Sequence, residues 1–145
     1  MDTPQKNLSY FRLRLQELLN TSFPEKAHDE EFINQRSSWA ANAYDGAFQA
    51  GNTIEQCNEI ADYILFEGFH FSKFDTIFQV VCNEFDTKMA DEELRPFALK
   101  MLRVCEPVFG NFELTDDFSY GDEFDVLYTE LTGTIALWIS ENGLQ

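Results

Sequence analysis

Few side chains in this sequence are suited to catalysis or metal binding, and three of them are cysteines. Cys57, Cys82 and Cys105 lie far apart with no Cys-x-x-Cys pair, which argues against structural zinc and against a disulfide framework. Each falls on an apolar helical stripe among Ile, Phe, Val and Met. A reactive thiolate needs an electropositive and partly open setting. We therefore predict that the cysteines are structural, although the sequence leaves a Cys–His pair open.

Two histidines, His28 and His70, complete the set of soft metal ligands. No HxxxH or HExxH pattern joins them, so the sequence predicts no metal site. The phosphate-binding and nucleophile motifs GxGxxG, GxxxxGK[ST] and GxSxG are also missing from the chain. Catalysis thus has no positive support, and we predict no catalytic residue and no cofactor.

The acidic stretch GNFELTDDFSYGDEF, residues 110–124, could bind a cation or a basic partner. An EF-hand alignment that puts Gly121 at loop position six leaves Phe118 and Tyr120 where oxygen ligands are required. A solvated acidic loop is the favoured interpretation, with a calcium site of another kind as the alternative. We assign four of its acids as candidate partner-binding residues, namely Asp116, Asp117, Asp122 and Glu123.

The stretch FEGFHFSKFDTIF contains five phenylalanines and is predicted to form the corner between two helices. Phe74 and Phe78 belong to the apolar stripe of the second helix. The residues before them leave two alternatives, packing under another helix or an exposed aromatic patch for a partner. Packing is favoured, and the candidate partner-binding residues here are Phe66, Phe69, His70 and Phe71.

Arg36 is an unusual basic residue, because helical spacing places it inside an apolar stripe between Phe32 and Trp39. A buried arginine needs a partner. Its stem could lie over Trp39 with the head in solvent, which we favour. The alternative is a buried ion pair or an anion-binding pocket.

These side chains must be positioned by helices, because apolar residues recur with a period of 3.6 along most of the chain. No useful run of period-two alternation occurs, and no repeat or linker divides the sequence. We predict an all-α fold of five or six helices in one domain, residues 1–145. Pro96 predicts a break in the fifth helix. The predicted helices begin near the N-terminus, Asp29, Asn52, Ser72, Asp91 and Asp122.

The last predicted helix, residues 122–142, differs from the others. Its stretch TGTIALWI is apolar or small on nearly every side. A helix that is apolar all round is usually buried. We therefore predict that the C-terminal helix is almost fully buried.

The formal net charge is −16, from 26 acids and 10 bases, and Arg103 is the last base. Such a surface repels phosphate and attracts a basic protein, so we predict a basic protein partner and no direct nucleic-acid binding. Taken by itself, the charge is better explained by acids that keep a Phe-rich domain soluble, and this is the favoured interpretation of the charge alone. The chain has neither a membrane-span pattern nor a secretion-signal pattern, so we expect a cytoplasmic location and no membrane partner. The oligomeric state stays open, a homodimer included.

Two segments resemble a known family: YFRLRLQELLNTSFPE near the N-terminus and EPVFGNFELTDDFSYGDEFDVLYTELTGTIALWISENG from Glu106. They are similar to a bacterial family known only as a domain of unknown function. The resemblance implies a small all-helical protein, often encoded in conjugative mobile elements near DNA-handling genes. It implies no activity and no site residues.

Three hypotheses about function follow, in order of preference. The first is a non-catalytic protein-interaction module. The second is a DNA mimic that acts as a decoy for a basic DNA-binding protein, which requires carboxylates spaced like phosphates along one face. The third is an enzyme without a recognisable motif, with a pocket lined by Arg36, a tyrosine and a carboxylate.

Overall fold

The computed structural model describes the backbone of residues 4–144 and the side chains of residues 8–144. Within these residues it contains seven α-helices, three short 3-10 turns and no strand, so the all-α prediction is confirmed. None of its helices combines the length with the apolar run that crossing a membrane requires. The helices are α1 Pro4–Ser22, α2 Glu30–Gln49, α3 Ile54–Leu65, α4 Lys73–Glu84, α5 Asp91–Val104, α6 Glu106–Phe109 and α7 Glu123–Asn142.

The contacts between residues divide the chain into two compact units, one ending at His70 and the other beginning at Phe71. Each unit has a hydrophobic core of its own. The prediction of a single domain over residues 1–145 stays a prediction.

In the first unit, α2 packs against both α1 and α3. The starts of α2 and α3 are set by local hydrogen bonds. Asp29 accepts the N–H of Phe32 at 3.2 Å, and Thr53 and Gln56 form a capping box with distances of 3.1 and 2.9 Å. Most of the fully buried side chains are apolar; they include Phe11, Leu15, Leu19, Ile33, Ala40, Ala61 and Leu65.

In the second unit, α4 packs against both α5 and α7. The predicted cap at Ser72 is present, because its hydroxyl accepts the N–H of Asp75 at 2.9 Å. The core is built from large apolar side chains that include Phe74, Ile77, Val81, Met101, Phe109, Leu127, Leu131 and Ile135.

The prediction that the C-terminal helix is almost fully buried is wrong. Only three residues of α7, Leu127, Leu131 and Ile135, are buried. They form one stripe, and the packing partners of α7 include α4 and α6. On the opposite side Val126 and Leu137 are 52% and 59% exposed. An apolar composition shows that burying the surface of a helix would stabilise the fold. It does not show whether another helix is present to cover that surface.

The helix count exceeds the prediction of five or six, and the predicted break at Pro96 is wrong. α5 continues through Pro96, its sixth residue. The chain breaks instead at Cys105, and α6 restarts with Pro107 in its first turn, where proline loses no intrahelical hydrogen bond. The missing N–H of Pro96 leaves one carbonyl of α5 without its usual donor, a loss that the apolar contacts of Leu94, Phe97 and Met101 offset.

The core of the first unit contains one polar atom whose burial is uncompensated, the Oγ of Ser37. Ser37 is fully buried in α2, and its hydroxyl has no hydrogen-bond partner among the described residues. We expect Ser37→Ala to raise the free energy of unfolding by about 1 kcal/mol, because it removes an unsatisfied hydroxyl and favours the helix. Urea denaturation measures the change. Ser38→Ala, one residue along the same helix, is the control, and an equal gain in both variants would contradict the explanation.

Candidate functional site

The loop between α6 and α7 is anchored to the core of the second unit by one aromatic side chain, Phe118. Its ring meets Phe71 and Phe124 edge-on at centroid separations of 5.3 and 6.4 Å. Phe118 opens a 3-10 turn in which the Tyr120 N–H donates to the carbonyl of Asp117 at 3.0 Å. Burial of Phe118 holds the turn in place, and Asp117 and Tyr120 on either side of it are exposed.

An open cavity of about 340 Å³, called the acidic depression here, lies on this loop. Tyr120 stands at it with 90% of its surface exposed. The hydroxyl of Thr115 donates to Oδ1 of Asp117 at 2.6 Å and so orients one carboxylate. Four carboxylates and no Lys or Arg line the depression, whose residues are Glu113, Thr115, Asp117, Phe118, Tyr120, Gly121, Asp122 and Glu123.

Three of the four acids predicted from the sequence, Asp117, Asp122 and Glu123, line the acidic depression. Asp116 is exposed beside it and does not line it. Sequence reasoning missed Glu113 and Tyr120. Tyr120 lies between two acidic pairs in the sequence, so a search for aromatic residues inside acidic runs would have found it.

The two acids at the end of the loop also belong to the start of α7. Asp122 is the residue before the helix and Glu123 its first residue, where the positive end of the helix dipole stabilises a carboxylate. Over residues 4–144, no group of three or more His, Cys, Asp or Glu side chains is arranged to hold a metal ion. The chemistry that the depression offers is therefore an array of negative charges next to an exposed phenol ring.

The four candidate residues of the predicted aromatic corner lie in different environments. In the first unit Phe69 meets Phe23 and Phe32 edge-on at 4.8 and 5.7 Å. Phe66 lies 5.2 Å from the guanidinium of Arg14. Both rings are half-buried against the core, so the structure shows the packing alternative. Their part in partner binding stays a prediction.

The other two residues of the corner, His70 and Phe71, differ in exposure. His70 is exposed at the end of the first unit. Phe71 is 9% exposed and belongs to the core of the second unit, where it contacts Phe118. An exposed patch that includes Phe71 is therefore wrong, because this ring is the one that anchors the acidic loop.

The guanidinium of Arg36 binds the C-terminal end of α3, a contact that neither alternative named. Its Nη1 donates to the carbonyl of Glu67 at 2.8 Å and to that of Ile64 at 3.3 Å. The same head group lies 4.9 Å from the ring centre of Phe32 and 5.7 Å from that of Phe69. A cation at a helix C-terminus satisfies carbonyls that have no partner within the helix and interacts favourably with the dipole. Arg36 is thus a structural clamp between α2 and α3.

The use of bases against aromatic rings goes beyond Arg36 and was missed from the sequence. Among the side chains of residues 8–144, six Lys and Arg side chains lie over rings with cation-to-centroid distances between 4.6 and 5.7 Å. Arg14, for example, lies over Tyr10 and also binds Asp62 through two hydrogen bonds of 2.6 and 3.1 Å. Two of these contacts could have been predicted from the sequence, because Tyr10 and Arg14 are four residues apart on a helix, as are Phe32 and Arg36.

The cysteines are placed as the sequence predicts, within or against the cores. Cys57 and Cys105 are fully buried and Cys82 is half-buried, and all three are free thiols. Burial raises the pKa of Cys105 to about 11, because the apolar core disfavours the thiolate. Burial, and then Asp86 and Asp91, raise the pKa of Cys82 as well. Both shifts keep the thiols protonated and oppose nucleophilic chemistry.

Comparisons with known proteins agree on the fold and are silent on activity. The model of the family described as "Domain of unknown function (DUF1896)" matches residues 3–144. A crystal structure of protein PG0816 from Porphyromonas gingivalis is similar to this chain, at 38% sequence identity and a TM-score of 0.91, covering 98% of this chain and 97% of that one. No curated protein matches the chain. The resemblance stated from the sequence is thereby confirmed.

The clamp at Arg36 predicts a loss of stability larger than that of an exposed arginine. We expect Arg36→Met to lower the free energy of unfolding by about 2 kcal/mol, because it leaves carbonyls of α3 without a charged donor. Arg12 binds Asn34 and Glu30 at the surface, so Arg12→Met should cost less than about 1 kcal/mol. Urea denaturation of both variants measures the difference, and equal losses would contradict the clamp.

The raised pKa of Cys105 predicts a pH dependence at alkaline pH. Above pH 9 the thiol ionises in the unfolded chain but stays protonated in the folded one until about pH 11. The folded state then binds more protons, so stability falls as the pH rises, by up to about 1.4 kcal/mol per pH unit. We expect denaturation under reducing conditions to show this slope in the wild type and a shallower one in Cys105→Ala. Parallel profiles between pH 9 and 11 would rule out the assignment.

Proposed function

The chain belongs to the DUF1896 family, and we propose that this member is a non-catalytic protein-interaction module that binds a basic segment of a protein partner. The acidic depression carries the proposal. It combines four carboxylates with the exposed ring of Tyr120 and has no Lys or Arg among its lining residues.

An Arg or Lys side chain of a partner matches this chemistry. Carboxylates accept hydrogen bonds from a guanidinium or an ammonium, and such charge-assisted bonds are roughly twice as strong as neutral ones. The face of Tyr120 can add a cation–π interaction of about 0.5–1 kcal/mol at an exposed site. Glu113 and Asp117 approach from the loop, and Asp122 and Glu123 from the start of α7.

The neighbouring sequence supports the proposal because it contains no Lys or Arg that could pair with these carboxylates in place of a partner. No base follows Arg103 in the sequence. Lys73 is held by Glu106 at 2.9 Å and lies over Phe109, so this base of the second unit is already engaged. The carboxylates of the depression therefore keep their charge available for a partner, and the resulting field would speed its approach in a salt-dependent manner.

The other two hypotheses have less support. The acids of the depression sit on one loop and one helix end, whereas a DNA mimic needs a row of carboxylates along an elongated face. The enzyme hypothesis relied on Arg36, whose guanidinium is occupied by backbone carbonyls. The cytoplasmic location and the mobile-element setting stay predictions.

The test is the binding of an oligo-arginine peptide, measured by titration calorimetry at low and at high salt. Neutralising the depression should raise Kd at least about tenfold, and the variant is Asp117→Asn, Asp122→Asn, Glu123→Gln. Tyr120→Ala should weaken binding by about two- to fivefold, in line with the loss of one exposed cation–π contact.

The control removes three charges elsewhere, so that net charge is matched. It replaces three exposed acids of the first unit, Glu17→Gln, Glu25→Gln and Glu59→Gln. Equal weakening in the two triple variants would show that binding follows net charge alone, and the proposal would fail. A pull-down from the native host at both salt concentrations identifies the partner. Competition by duplex DNA for that partner would favour the decoy hypothesis instead.

A further inference from the structure

The second unit has an open cavity of about 170 Å³ beside α5, called the α5 cavity here, which shares no lining residue with the acidic depression. One side of α5 forms its base, because four of the lining residues recur there with helical spacing. The segments before α5 and after α7 contribute one residue each. The lining residues are Met89, Glu93, Pro96, Phe97, Lys100 and Leu144.

The apolar part of the lining suits a single flat ring. Phe97 belongs to the core and leaves 8% of its surface exposed. Pro96 adds a second rigid ring beside it, although its missing N–H costs α5 one hydrogen bond. The thioether of Met89 is of a kind that makes favourable contacts with aromatic rings. Since an engineered apolar cavity of about 150 Å³ holds benzene, the α5 cavity has room for one ring.

Lys100 determines the charge of a matching ligand. Its ammonium lies 5.3 Å from the ring centre of Trp138, and no carboxylate among the described side chains forms an ion pair with it. Glu93, the other charged lining residue, is two helical turns away, about 10.5 Å along the axis. Its Oε1 already accepts the N–H of Ala90 at 3.0 Å. The charge left to pair in the cavity is therefore an ammonium, which attracts a carboxylate.

From this lining we propose that the α5 cavity binds a small aromatic carboxylate, with its ring against Phe97 and Pro96 and its carboxylate on the ammonium of Lys100. The charge-assisted hydrogen bond fixes the orientation, and burial of the ring supplies the apolar contribution. A ligand of this size in an open cavity makes few contacts, so we expect a Kd of about a millimolar. The proposal uses none of the residues of the acidic depression and stands apart from the proposed function.

Titration with benzoate, followed by NMR of the two indole N–H groups, tests the proposal. Trp138 contacts Phe97 and Lys100, whereas Trp39 lies in the first unit and serves as an internal control. Benzoate should shift the Trp138 signal and leave that of Trp39 unchanged; Trp39→Phe assigns the two signals. Benzamide has the same ring without the charge and should bind at least about fivefold more weakly, and benzylamine should bind more weakly still.

Two pairs of variants at exposed positions separate the contribution of the charge from that of the apolar lining. Lys100→Met should remove the preference for benzoate over benzamide. Arg103→Met, the same loss of charge on the same helix but outside the lining, should retain it. Leu144→Asp places a carboxylate in the lining and should weaken benzoate binding at least about tenfold. Leu99→Asp is its control, since Leu99 and Leu144 are both 40% exposed and only Leu144 lines the cavity.

Four results would overturn the proposal. They are a Trp138 signal that does not move at tens of millimolar benzoate, equal shifts of the two indole signals, binding of benzamide or benzylamine as tight as that of benzoate, and equal effects within either pair of variants. None of them bears on the binding of a basic peptide, so failure of this proposal is distinguishable from failure of the proposed function.

Discussion

The scarcity of positive charge is the constraint on which much of this structure depends. The chain has 10 bases against 26 acids, and many of its large apolar side chains are phenylalanines. Among the described side chains, six bases lie over aromatic rings, namely Arg14, Lys26, Arg36, Lys73, Arg95 and Lys100. A cation in this position covers the edge of an apolar cluster while its outer side stays hydrated. The bases thus complete the two cores, and Arg36 also closes the end of α3.

This use of the bases determines the character of the surface. Ion pairs engage Glu30, Asp62, Asp29 and Glu106. The loop before α7 keeps its carboxylates exposed, and the anchor that holds them there is a buried ring, Phe118. An aromatic residue in the core and the acids beside it therefore form one arrangement, in which burial of the first positions the charge of the others.

Local patterns in the sequence determined the helices, because the hydrogen bonds and apolar periodicity of a helix join residues only a few positions apart. The capping box of Thr53 and Gln56, the cap at Ser72 and the apolar stripes are all of this kind. The acids of the loop were found for the same reason, since a run of carboxylates before a helix is visible without its tertiary setting. The break at Pro96 failed because tertiary packing of α5 outweighed a local preference.

Tertiary structure alone decided what each helix face meets. A helical wheel placed Arg36 in an apolar stripe, but its partners are carbonyls 28 and 31 residues further along the chain. The sequence showed that the stretch TGTIALWI of α7 is apolar or small on nearly every side, yet only the packing of the second unit decided which side is covered. Phe71 was one of several phenylalanines in a corner until its contact with Phe118 made it the anchor of the acidic loop. The physical reason is common to all three cases. The type of a side chain indicates how strongly it favours burial or a charged partner. The residue that covers it or pairs with it lies in a distant part of the chain, so only the tertiary structure identifies that residue.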